Sequence, residues 1–106
     1  MAGRLQALVR RDARVQAAVR DAQTRLQAGG RAIVMWDGDW VQSQGQEGRG
    51  LAGVCQAIAV EVAFAPRECR MEQVRGLVVL SLADDPSAPR LALGTDSWKW
   101  GDLALR

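Results

Sequence analysis

The chain has no histidine and no tyrosine, one phenylalanine, one lysine and two cysteines. Each shortage excludes something. Without imidazole, no serine or cysteine has its usual general base, and no His-ligated zinc site can form. Cys55 and Cys69 are too few for a disulfide framework and lack CxxC spacing. If Cys55 lies in the first turn of a helix ending near Phe64, the five residues that follow only just return Cys69 to bridging distance. Free thiols are therefore expected. No apolar run approaches the ~18 residues that span a bilayer, and Met1–Arg11 lacks both the apolar core and the cleavage site of a signal peptide. A chain that starts natively at Met1 is then cytoplasmic, whereas a mature or excised fragment is periplasmic or secreted.

What is present is ordinary in amount and uneven in distribution. The 106 residues are 48% hydrophobic and 25% charged, the composition of one self-sufficient domain spanning 1–106. Thirteen of the fourteen basic residues are Arg, and seven fall in residues 2–31 against two Asp, a local charge of +5. Residues 32–106 carry −3. A basic segment over 1–30 is thus joined to a mildly acidic body over 31–106.

The periodicity predicts an α+β fold. Leu5, Leu8, Asp12, Val15, Val19, Ala22 and Leu26 repeat at 3-4 spacing, which predicts one amphipathic helix over Arg4–Ala28, stopped by Gly29-Gly30. Arg31–Ser43 reads as a β-hairpin around Asp37-Gly38-Asp39, with either a two- or a three-residue loop. Gly45–Gly50 is a connector. Leu51, Val54, Cys55, Ile58 and Val62 recur at helical spacing before Pro66, although Ile58, Val60, Val62 and Phe64 also alternate as a strand would; the Ala-rich start favours the helix. Val74–Leu82 reads as a strand apolar enough to be central, so that Val79→Asp would unfold the domain. After a loop at Asp84–Pro89, Arg90–Leu93 returns, and Ser97–Trp100 adds a strand or continues this one past a bulge. The predicted order is N-terminal helix, β-hairpin, helix, β-hairpin, giving a small antiparallel sheet with helices packed on one face.

Two surfaces are candidates for function. Arg4, Arg10, Arg11, Arg14, Arg20 and Arg25 stud the first helix, so residues 4–28 could dock on the chain's own body, on a second copy or on a protein partner. The same Arg face could grip nucleic acid, but no helix-turn-helix, RNP or zinc pattern accompanies it and the net charge is only +2. Trp36 and Trp40 flank the first turn, and Trp98 and Trp100 lie two apart, so the rings are either core or a stacking platform for a small ligand. Gly45–Gly50 matches no phosphate-loop fingerprint, and Asp37 with Asp39 suits a turn better than a metal. Catalysis, a cofactor and a metal are not expected. The leading expectation is a non-catalytic protein-interaction module. Nucleic-acid binding, small-ligand binding at the Trp residues, and an adaptor role by fold-level analogy with small cell-envelope domains stand as alternatives.

Overall fold

A computed structural model of the chain describes residues 1–25, 31–41 and 49–104. Its elements are α1 (Ala2–Arg11), α2 (Ala13–Arg25), β1 (Ile33–Trp36), α3 (Arg49–Ala63), the short α4 (Arg67–Arg70), β2 (Gln73–Ser81), β3 (Arg90–Lys99) and a closing 3-10 helix (Trp100–Ala104). The fold is α+β. The Gly29-Gly30 stop, Leu26 and most of the Gly45–Gly50 connector lie outside the described residues.

The basic segment is two helices rather than the single helix expected over Arg4–Ala28. The break is at Asp12, whose backbone is extended at φ −88° and ψ 111°. Its carboxylate accepts from the backbone N–H groups of Arg14 at 2.9 Å and Val15 at 3.2 Å, a side-chain cap on α2. Asp in the middle of an apolar stripe was therefore a start signal. One inserted cap residue leaves the 3-4 spacing intact, so Leu5, Leu8, Val15, Val19 and Ala22 are all buried in one cluster. Asp12→Ala should cost about 1 kcal/mol, with helix content lost between residues 12 and 16; an unchanged melting curve would contradict the cap.

The sheet is mixed, with order β1-β3-β2. β2 and β3 pair antiparallel from Gln73↔Lys99 to Ser81↔Arg90, the second hairpin that the sequence predicts. The register shifts between Arg75↔Ser97 and Gly76↔Thr95, so Ser97–Lys99 continues β3 past a bulge. β1, however, runs parallel to β3, pairing Ile33 with Leu91 and Val34 with Ala92. The all-antiparallel expectation fails here because a four-residue apolar strand carries no signal for its partner's direction. Of the first hairpin, the turn survives: Trp36 and Trp40 form an isolated bridge across a three-residue loop, and Gly38 adopts φ +107°. Gly38 meets the left-handed demand of that loop.

β3, not β2, is central. β2 is an edge strand with Leu77 62% and Val79 47% exposed, so Val79→Asp should cost less than about 1 kcal/mol and leave the fold intact, as measured by thermal melting. This overturns the unfolding expected from the apolar run. The run is apolar on both faces, and only one is covered. Val78 and Leu80 of β2, with Leu91 and Leu93 of β3, face the helices, and β1 adds Ile33 and Met35. Leu51, Val54, Cys55, Ile58 and Val62 of α3 complete this core, settling the helical reading of residues 58–62. The helices thus lie on one face of the sheet.

Candidate functional site

The Arg residues of the first segment are largely spent on the chain's own acids and carbonyls. Glu61 on α3 receives Arg4 at 2.9 Å and Arg11 at 3.4 Å, so two bases from α1 converge on one carboxylate. Arg10 bonds Asp84 at 2.8 Å and the Ser81 carbonyl at 3.2 Å. Arg20 donates to Gln16 Oε1 at 3.3 Å along α2. Arg14 is exposed beside a groove of about 520 Å³ between α2 and α3 that Val15, Ala18, Gly53, Ala57 and Val60 also line. Arg25 closes α2, and its side chain lies outside the described residues. The Arg face is therefore a set of tethers between α1, α3 and the end of β2.

Three of the four Trp residues are core. Trp36 and Trp98 have ring centroids 5.2 Å apart, and Trp98 meets Trp100 edge-on at 4.7 Å. All three are buried, and Trp98 Nε1 donates to the Gly76 carbonyl at 2.9 Å. Trp40 is half-buried and lines a cleft of about 360 Å³ with Asp39, Ser97 and Asp102. Rings buried on both faces offer no open platform for a flat ligand.

The cysteines stay apart. Both thiols are free, Cys55 buried and Cys69 half-buried. Desolvation pushes the Cys55 thiol up to about 11, the direction expected of an inert core thiol. In the 82–89 loop, hydrogen bonds from Ser87 hold the Asp85 carboxyl below its ordinary range, which is turn chemistry. No cluster of metal-ligating side chains occurs among the described residues, and no described helix is long and apolar enough to cross a membrane.

The surface that sequence reasoning missed is the outer side of the sheet and the free edge of β2. Alternation places Gln73, Arg75, Leu77, Val79 and Ser81 on the outer face of β2. Opposite them on β3 stand Lys99, Ser97, Gly94, Ala92 and Arg90, with Val34 of β1 beyond Ala92. The exposed apolar side chains of this face are Val34, Val79 and Leu77, with Ala92 buried between Val34 and Val79, Arg75, Lys99 and Arg90 towards the ends, and no acid at these paired positions. The legible signal was Gln73 and Arg75, which share a face with Leu77 and Val79 and mark that face as reaching water.

Backbone groups along the edge follow the same parity. The Ser81 N–H donates to Gln6 Oε1 at 3.1 Å, and its carbonyl accepts from Gln6 Nε2 and Arg10, so both groups point away from β3. The Gly76 carbonyl and the Leu82 N–H point towards β3, as their bonds to Trp98 and Pro89 show. Strand alternation then turns the N–H and C=O groups of Leu77 and Val79 outward. Gln6 imitates a neighbouring strand at Ser81 alone. Among the described residues, no hydrogen bond covers the outward backbone groups of Leu77 and Val79, which lie beside an apolar stripe. Set against known protein families, curated proteins and solved structures, the chain matches none of them.

Proposed function

We propose that the chain is a non-catalytic protein-interaction module that receives an extended segment of a partner protein along β2. The observation that carries this reading is the coincidence of outward backbone groups and exposed apolar side chains at Leu77 and Val79. Strand addition uses both: the main chain supplies affinity, and alternate side chains supply selectivity. Natural edges are usually blunted by charge, proline or a covering element; here, among the described residues, Gln6 covers the Ser81 end and the N-terminus approaches Glu72 before the other end.

The charge around the stripe states the partner's chemistry. Arg75 and Lys99 lie on the same outer face as Leu77, and the one acid beside them in the strand is the exposed Asp96 of the bulge. A segment alternating apolar and acidic residues would lay its apolar side chains along Leu77 and Val79 and set carboxylates near Arg75 and Lys99. Rim charges of this kind govern selectivity and on-rate more than affinity.

The test uses the full chain and a ten-residue peptide of alternating Val and Glu, with a Val–Lys peptide as control. The Val–Glu peptide is expected to shift the Leu77 and Val79 amide resonances saturably and the control to bind at least tenfold more weakly. Leu77→Lys should melt like the parent and lose the interaction. Equal binding of both peptides, or shifts centred on α2 and α3 instead, would reject this reading. A free chain that sediments as a dimer abolished by Leu77→Lys would give the edge to a second copy and refute the peptide partner.

A further inference from the structure

A separate feature lies where α4 meets the end of β3. A cavity of about 280 Å³ is lined by Arg67, Arg70, Met71, Lys99, Gly101 and Asp102. Two arginines and the chain's only lysine thus surround one small space with a single carboxylate. That carboxylate is partly engaged, since Asp102 Oδ2 accepts the Lys99 backbone N–H at 3.0 Å. Arg70 Nε is buried and has no hydrogen-bond partner.

A buried guanidinium N–H without an acceptor is costly, and native proteins seldom tolerate one without a ligand, an ion or water to meet it. The backbone holds it there: the Arg70 carbonyl lies 3.2 Å from where a Cβ on Gly101 would stand, so α4 and the 3-10 helix are in close contact. That contact fixes the Arg70 backbone and Cβ, and so the root of its side chain, beside Gly101. Three cations against one carboxylate leave a formal +2, which a dianion balances. Guanidinium groups present planar forks of donors that match phosphate oxygens, and an ammonium adds a point charge.

We propose that this cavity is a binding site for a phosphate monoester dianion, with Arg70 donating to its oxygens and Arg67 and Lys99 supplying charge. The site shares Lys99 with the strand-addition surface but rests on Arg67 and Arg70, which strand addition at Leu77 and Val79 does not use. The sequence conceals it because Lys99 lies far along the chain from Arg67 and Arg70 and the three match no phosphate-loop pattern.

The experiment titrates inorganic phosphate at pH 8, where the dianion dominates, against sodium chloride at matched ionic strength, which removes general screening. Saturable shifts are expected at the Arg70, Gly101 and Asp102 amides, with a melting temperature that rises with phosphate. O-phosphoserine carries the same head group and should act at the same residues. Arg70→Met is the decisive variant, since it removes the orphaned donor but keeps the apolar stem. Without phosphate it should melt no lower than the parent, and its phosphate affinity should fall at least tenfold. A response to chloride equal to that with phosphate, shifts spread over all the arginines, or undiminished affinity in Arg70→Met would each overturn the proposal. Binding of O-phosphoserine alone would refute the claim that the phosphate group suffices.

Discussion

Gly94→Ala is expected to destabilise the protein by roughly 3 kcal/mol or more. Gly94 sits mid-strand in β3 at φ +139°, a conformation that side chains rarely adopt. A Cβ there would stand 2.3 Å from the Gly76 carbonyl oxygen, 3.0 Å from Trp98 Nε1 and 3.1 Å from Leu77 Cα. The first of these is backbone and cannot step aside. It is also the acceptor for Trp98 Nε1, so the displacement reaches Trp36 and Trp100 through ring contacts. For a domain of this size the melting temperature should fall by roughly 15 °C. Gly53→Ala is the control. A Cβ there meets nothing within 4 Å, and Gly53 lies inside α3, so this variant should gain about 0.5–1 kcal/mol from reduced chain entropy. Equal melting of the two variants would refute the close approach at Gly94.

Alkaline pH should weaken the fold through Cys55. Burial raises its thiol to about 11 in the folded chain, against an ordinary 9.0. Between these values the unfolded chain has lost the proton and the folded chain retains it, so the unfolded state binds fewer protons and stability falls as pH rises. The contribution is fully present below pH 9 and is lost progressively up to about 11, amounting to about 2–3 kcal/mol. Comparison with Cys55→Val separates this thiol from every other group of the chain. Urea unfolding at pH 8 and pH 10.5 should show the loss in the parent and a much smaller loss in Cys55→Val. An identical loss in both would remove Cys55 from the account. At pH 8, thiol reagents should label Cys69 and leave Cys55 untouched until the chain unfolds.

The helical content was legible because helices write their buried face into local spacing. Leu5 to Ala22 and Leu51 to Val62 both repeat at 3-4 intervals, and both stripes are buried. The interruption at Asp12 was written too, as a capping residue, but a one-residue break does not disturb the period that revealed the helix. Strand positions were legible for the same reason, and strand order was not. Whether β1 lies parallel or antiparallel to β3 depends on the path of the chain through α3 and β2, which lie between them in sequence, and no four-residue segment encodes that. The candidate surfaces fared according to how far their meaning is local. Arg4, Arg10 and Arg11 stood out by type, yet their partners Glu61 and Asp84 are at least 50 residues away. The Trp pairs stood out by rarity, and volume-filling in a chain with one Phe and no Tyr accounts for Trp36, Trp98 and Trp100. The open β2 edge depends on which strand ends the sheet, and so it emerges only from the assembled fold.

Hydrogen exchange along β2 reads that edge residue by residue. In the free chain the Leu77 and Val79 amides should exchange fast while their neighbours Val78 and Leu80, which face β3, stay protected. Saturating Val–Glu peptide should slow Leu77 and Val79 to match. Protection of Leu77 and Val79 in the free monomer, or no slowing at peptide saturation, would contradict strand addition along β2.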